Sequence, residues 1–104
     1  MKLPNPQNAI IAPDKLINYL LNTMNFELYS EVVVQRDVPE EGLLAGDVGV
    51  VVERHDVPGL EPGYSVEFFD MLGNTFAVAT LPASLLRAPA HTDRPAVRME
   101  LVAV

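Results

Sequence analysis

The stretch from Asp37 to Arg87 consists of short apolar runs separated by glycine, proline and acidic turn residues. Runs of this length with alternating apolar side chains are typical of β-strands, and turn residues between them are typical of hairpins. Two prolines within the five residues 58–62 exclude a regular strand there, because proline lacks a backbone donor. Strands at this spacing, closed by one turn, predict a mainly β protein with a small, partly open barrel.

Four segments carry the alternation and are predicted strands: Leu28–Arg36, Asp47–Arg54, Tyr64–Phe69 and Thr75–Thr80. The first is apolar on both faces, which predicts burial or pairing on each side. In each of the other three strands the alternation places apolar side chains on one face. These are Val48, Val50 and Val52 in the second strand, Val66 and Phe68 in the third, and Phe76 and Val78 in the fourth. The last two strands read as a hairpin, and Leu81–Leu86 as a tight turn that closes the end of the barrel.

Two segments of the sequence resemble a group of small bacterial SH3-like proteins, the family called domain of unknown function 4926. They are VVVQRDVPEEGLLAGDVGVVVE and YSVEFFDMLGNTFAVATLPASLLR. The resemblance covers about Tyr29 to Arg87, and its most specific parts are DVPEEGLLAGDVGVVV and TLPASLLR. It implies an SH3-like barrel, a fold that in other proteins serves as an accessory subunit of larger enzymes. It implies no catalytic residues.

The 104 residues fit one domain with appended ends, which we divide into residues 1–26, 27–87 and 88–104. In the first segment Pro13 and Asp14 suit the first turn of a short α-helix, whose apolar stripe is Leu16, Ile17, Leu20 and Leu21. So short a helix must dock, either on its own barrel or on another subunit. The segment also resembles, over about twenty residues, the start of another uncharacterised bacterial family.

The tail, residues 88–104, ends in a predicted C-terminal strand. Val97, Met99, Leu101 and Ala103 alternate with other residues and give it one apolar face. A free strand invites pairing, so it either closes the barrel, adds to an edge or crosses to a second copy. Leu16 and Leu20 of the helix, with Met99 and Leu101 of the tail, are therefore predicted protein-binding residues.

The charge is uneven along the chain. Between Glu27 and Asp70 there are eleven carboxylates and two arginines, although the net charge of the whole chain is only −7. An acidic barrel repels phosphate backbones, so we expect no nucleic acid and favour a basic protein partner. Glu40 and Glu41, in the loop before the second strand, are predicted partner-binding residues. That loop lacks the aromatic side chains that a proline-rich ligand requires.

The sequence contains no recognisable catalytic or metal-binding pattern. There is no cysteine, which excludes thiol catalysis and thiolate metal sites and agrees with a reducing compartment. His55 beside Asp56 reads as an exposed turn pair, and the serines and threonines lack the spacing of a nucleophile with its base. We therefore expect neither a metal nor another cofactor, and no enzymatic activity. No apolar run approaches the length of a membrane span, so we expect no membrane partner and a cytoplasmic location.

These observations favour a non-enzymatic protein-interaction module. The specific hypothesis is an antitoxin or immunity-like protein that masks a basic partner. The alternative is a structural accessory subunit or self-assembling scaffold, in which helix and tail form the interface of an oligomer such as a homodimer.

Overall fold

The computed structural model describes residues 25–99 of the chain. The predicted N-terminal helix, with Leu16 and Leu20, and the tail residue Leu101 lie outside the described residues. Five strands are present in the described part: β1 Glu31–Val34, β2 Val48–His55, β3 Gly63–Phe69, β4 Thr75–Pro82 and β5 Leu86–Arg87. Two 3₁₀ turns, Pro39–Glu41 and Ala83–Leu85, lie in the connections β1–β2 and β4–β5. The prediction of a mainly β protein is confirmed.

The strands form one open antiparallel sheet in the order β4-β3-β2-β1-β5. The last strand therefore returns beside the first, where Val34 pairs with Leu86. β2 and β3 are the long central strands, and a β-bulge between Val51 and Glu53 shifts their register. Such a bulge bends the strand and changes which residues face the core.

One face of the sheet is filled by a single apolar core. Its buried residues are Val32, Val34, Val38, Leu43, Val51, Tyr64, Val66, Phe68, Ala79, Leu81, Ala83 and Leu86. The predicted shared face of Val66 and Phe68 is thus the core face of β3, and all three valines of β1 are buried as expected. In β4 the inward residues are Ala79 and Leu81, so the predicted pair Phe76 and Val78 is left half exposed.

One other prediction needs correction. The segment Leu81–Leu86 is more than a closing turn, because it contains the end of β4, a 3₁₀ turn and the start of β5. The described part of the tail, residues 88–99, contains no strand, and Val97 and Met99 are exposed there. The rest of the predicted C-terminal strand lies outside the described residues. No helix among residues 25–99 is long and apolar enough to cross a membrane.

Gly49 lies at the centre of the sheet, where three strands approach closely. It pairs with Val32 of β1 on one side and with Phe68 of β3 on the other. A Cβ atom at this position would lie 2.5 Å from Cγ1 of Val66 and 2.9 Å from Cδ1 of Phe68. Only glycine allows the core side chains of β3 to cover β2 at this point.

Tyr64 joins the start of the described chain to the core. Its ring is fully buried and lies edge-on to the Phe26 ring, with 5.3 Å between centroids. Its hydroxyl oxygen accepts hydrogen bonds from the backbone N–H of Phe26 and from Nη1 of Arg54, each at 3.0 Å. The hydroxyl thus satisfies a backbone donor and a guanidinium at once.

Replacing Gly49 by alanine should lower the free energy of unfolding by about 1–3 kcal/mol, because the added methyl group overpacks the core beside β3. Urea denaturation measures this. Gly63→Ala is the matched control in the same sheet, because its Cβ would meet its nearest neighbours at 3.9 Å, an ordinary contact. We expect the control to change stability by no more than about 1 kcal/mol, and equal effects of the two substitutions would contradict the packing argument.

Removing the Tyr64 hydroxyl should also destabilise the fold. Tyr64→Phe leaves the Phe26 N–H without its acceptor, which should cost about 1–3 kcal/mol in the same denaturation experiment. Tyr29→Phe is the control, since that side chain is 74% exposed, and should change stability by less than about 0.5 kcal/mol. A neutral effect at Tyr64 would show that water replaces the hydroxyl.

Candidate functional site

The connection between β1 and β2, residues 35–47, is a folded loop that we call the acidic loop. Val38 and Leu43 form an isolated antiparallel bridge within it, and both side chains are buried in the core. The 3₁₀ turn lies between them and ends at Gly42, whose φ of 70° is a left-handed conformation that glycine adopts readily. The two buried side chains therefore anchor the loop and hold its tip, with Glu40 and Glu41, out in solvent.

Two aspartates close the base of the acidic loop. Oδ1 of Asp37 accepts a hydrogen bond from the backbone N–H of Ala45 at 2.8 Å. Oδ2 of Asp47 accepts one from the N–H of Leu44 at 2.9 Å. Short carboxylate side chains commonly bind nearby backbone donors in this way. Sequence reasoning assigned no role to either residue, although an aspartate flanking a glycine-containing turn is a recognisable signal.

The guanidinium of Arg98, from the tail, binds Asp47 with two hydrogen bonds. Nη1 lies 2.5 Å from Oδ1 and Nη2 lies 2.7 Å from Oδ2. The Asp47 side chain is only 10% exposed, whereas that of Arg98 is 51% exposed. This two-pronged geometry is the one that arginine forms with carboxylates and lysine does not. The acidic loop therefore already holds one basic side chain, supplied by its own chain.

The electrostatics of this pair follow from its contacts. Burial opposes the charged form of Asp47, but the hydrogen bonds from Arg98 and Leu44 and the charge of Arg98 outweigh it, so the pKa of Asp47 is lowered. The hydrogen bonds to Asp47 raise the pKa of Arg98, and the charges of Asp47 and Asp37 add to this. Asp37 thus contributes to the negative potential that the guanidinium experiences.

A second ion pair lies between the end of β5 and Arg98. Arg87, the last residue of β5, binds both oxygens of Asp93 at 2.8 Å. These hydrogen bonds hold the pKa of Asp93 well below its usual range. Asp93 also accepts the N–H of Ala90, so the tail turns back beside β5 before Arg98 meets the acidic loop.

The predicted site residues separate into three groups. Glu40 and Glu41 are exposed at the tip of the acidic loop, and no described residue forms an ion pair or hydrogen bond with their side chains. Met99 follows Arg98 directly and is 85% exposed. Leu16, Leu20 and Leu101 lie outside the described residues, so the structure does not relate them to the loop.

The prediction that His55 forms an exposed turn pair with Asp56 is wrong. His55 ends β2 and is only partly exposed, while Asp56 binds Nε of Arg54 at 3.0 Å. Nε2 of His55 lies 2.8 Å from the hydroxyl of Ser65, which lies 3.0 Å from the hydroxyl of Thr80. The sequence does not predict this cross-strand hydrogen-bond network, because its three residues are adjacent only in the folded sheet.

The chain His55–Ser65–Thr80 brings a histidine and a hydroxyl together, which is the first requirement of nucleophilic catalysis. Glu53 is the nearest carboxylate that pairs with the ring, with 3.9 Å between Oε2 and Nε2. Every buried side-chain N or O atom in the described part has a hydrogen-bond partner, which is what a structural network requires. No three metal-binding side chains cluster among residues 25–99. The acidic loop is the stronger candidate site.

Arg98→Gln should move the pKa of Asp47 upward, because the guanidinium that stabilises its carboxylate is lost. An NMR titration of the carboxyl carbon measures the shift. The folded pKa is below the unfolded one, so the pair stabilises the fold above about pH 4 and this contribution disappears as pH falls through the folded pKa. Arg94→Gln is the control, because Nη1 of Arg94 binds only carbonyl oxygens. An unchanged pKa of Asp47 in Arg98→Gln would contradict the pairing.

Comparison with known proteins adds one finding. The family described as Domain of unknown function (DUF4926) matches residues 28–88, which include all five strands and the acidic loop. Neither a curated protein nor a solved structure matches the chain. The matched region covers more than half of the 104 residues and ends within one residue of β5. The chain therefore belongs to the family of unknown function DUF4926.

Proposed function

We propose that the protein is a non-catalytic interaction module, an SH3-like barrel whose acidic loop binds arginine side chains of a basic protein partner. The SH3-like assignment is supported by the strand order, in which β5 follows a 3₁₀ turn and pairs with β1. It is also supported by the long connection between β1 and β2, which in SH3 domains forms part of the ligand groove. Here that connection presents carboxylates in place of aromatic residues.

The observation that carries the proposal is the contact between Arg98 and Asp47. It supports a preference of this surface for a guanidinium, because that of Arg98 is held by two hydrogen bonds and lies near a second aspartate. Because the Arg98 side chain is half exposed, an arginine of a partner can compete with it for Asp47. Arg98 then acts as an internal substitute for the partner.

The distribution of the other carboxylates supports the same surface. Several are engaged in the fold: Glu61 binds the N–H and hydroxyl of Ser84, and Asp70 binds the N–H groups of Leu72 and Asn74. Glu40 and Glu41 have no such role within the described part. Adjacent free carboxylates at a fixed loop tip attract a cationic partner and steer its approach. Negative charge of this density also opposes binding of nucleic acid.

An antitoxin or immunity-like protein is the specific form of this function that we favour, since such a protein masks a basic partner with a negative surface. A cytoplasmic location is part of the proposal and agrees with the absence of cysteine.

The proposal predicts salt-sensitive binding of arginine. A short capped peptide with two arginines separated by glycine should shift the amide NMR signals of Leu44 and Ala45, with an affinity that falls as salt rises. The double substitution Glu40→Gln and Glu41→Gln should weaken binding by about two- to thirtyfold, because each exposed ion pair contributes about 0.2–1 kcal/mol. A lysine peptide of the same charge should bind less tightly, because it lacks the two-pronged geometry.

The matched control removes the same charge elsewhere. Glu27→Gln with Glu31→Gln changes two exposed carboxylates outside the acidic loop and should leave the affinity nearly unchanged. Equal losses in the two double variants would mean that net charge alone attracts the peptide. That result, or binding that salt does not affect, would contradict the proposed site.

The second candidate function, a self-assembling subunit, is favoured by a different observation. β4 is an edge strand in the described sheet, and two of its apolar side chains, Phe76 and Val78, are more than half exposed.

A further inference from the structure

Within residues 25–99, β4 (Thr75–Pro82) has a neighbouring strand on one side only. In the sheet it pairs with β3 alone among the described strands, from Phe69–Thr75 to Gly63–Pro82, and the register shifts at Phe76, which has no partner on β3. The regular part of the edge, residues 77–82, extends over about 20 Å at the usual rise per residue. The backbone groups on the outer side of this strand are therefore available for another strand.

The composition of β4 is unusual for an exposed edge. Natural proteins protect such edges with charged side chains, prolines or bulges. From Gly73 to Leu86 the chain has no charged residue, and the one proline within β4 is its last residue, Pro82. Phe76 is 52% exposed and Val78 is 58% exposed. The irregularity at Phe76 and the proline at Pro82 protect the two ends of this edge, so the uncharged residues 77–81 are the part with which an added strand can pair.

The same neutrality indicates what pairs with β4. Two copies of a chain with a net charge of −7 repel each other across most of their surfaces. A neutral edge is where they approach with least repulsion, whereas a basic partner is drawn to the acidic loop. The nearest carboxylate on β3, Glu67, is only partly exposed and accepts the Thr75 hydroxyl at 2.6 Å.

Antiparallel pairing of two β4 strands also brings complementary ends together. The Thr75 end of one copy lies beside the Pro82 end of the other. Beyond the first end is the β3–β4 hairpin tip, where Met71 is 83% exposed and Leu72 is 88% exposed. At the second end is an open pocket of about 490 Å³, whose apolar lining consists of Val57, Leu60, Leu81 and Pro82. Each copy thus has an exposed apolar hairpin tip and an apolar pocket, and a two-fold axis places each tip beside the pocket of the other copy.

We propose that β4 pairs antiparallel with β4 of a second copy, so that two five-stranded sheets become one continuous sheet with the hairpin tip of each copy seated in the pocket of the other. Outward N–H and C=O groups then meet their counterparts across the axis. The interface is separate from the acidic loop, so a dimer presents two arginine-binding surfaces.

Light scattering and sedimentation of the full chain, from micromolar to millimolar concentration, test this proposal. We expect a monomer–dimer equilibrium. Val78→Lys places a charge on the edge and should raise the dimer dissociation constant about tenfold or more, because the introduced charges meet across the axis. Leu72→Ser, at the hairpin tip, should raise it as well by removing an apolar side chain from that tip. Both positions are exposed, so an NMR spectrum with native dispersion should confirm that the variants fold.

Val48→Lys is the matched control, because Val48 is 48% exposed but lies on the central strand β2. It should leave the dissociation constant unchanged, and an effect equal to that of Val78→Lys would overturn edge pairing in favour of stacked sheets. Hydrogen exchange adds a second readout: alternate β4 amides should gain protection as concentration rises. A monomer at every concentration would overturn the proposal. So would β4 amides protected equally at all concentrations, since another part of the same chain would then cover the edge.

Discussion

The close packing of Phe68 and Val66 over Gly49 is the constraint on which the structure depends. With five strands in its described part, the sheet must bury one face almost completely to be stable, and Gly49 lets the core side chains of β3 pack closely over β2. Tyr64 then joins the chain before β1 to that core. Once the central strands are fixed, Val38 and Leu43 fix the acidic loop above them, because both are part of the same core.

A protein this acidic uses its carboxylates for two different purposes. One group satisfies backbone donors in turns, as Asp37, Asp47 and Asp70 do, and so replaces hydrogen bonds that a small sheet cannot supply. The other group, represented by Glu40 and Glu41, remains in solvent and sets the surface potential. Asp47 belongs to both groups, because it closes the loop and also holds Arg98. The fold of the loop and its contact with the Arg98 guanidinium therefore depend on the same residue.

The sequence predicted the strands well because a period of two is a local property, and β2, β3 and β4 lie within two residues of their expected bounds. It did not show which face of β2 is buried, because valines lie on both faces and the bulge after Val51 changes the register. The main contact of the candidate site joins residues 51 positions apart, Arg98 and Asp47, and no local pattern encodes it. The exposure of Glu40 and Glu41 could be predicted because consecutive charged residues beside a turn rarely lie in a core, whereas their binding role stays a prediction.

If the acidic loop binds guanidinium groups, Arg98 occupies it in place of a partner. A comparison of the affinity of the two-arginine peptide for the natural chain and for Arg98→Gln tests this. Binding should be tighter to Arg98→Gln, because an internal competitor that occupies the site lowers the apparent affinity of any other ligand. Equal or weaker binding to that variant would show that Arg98 does not occupy the site of the ligand.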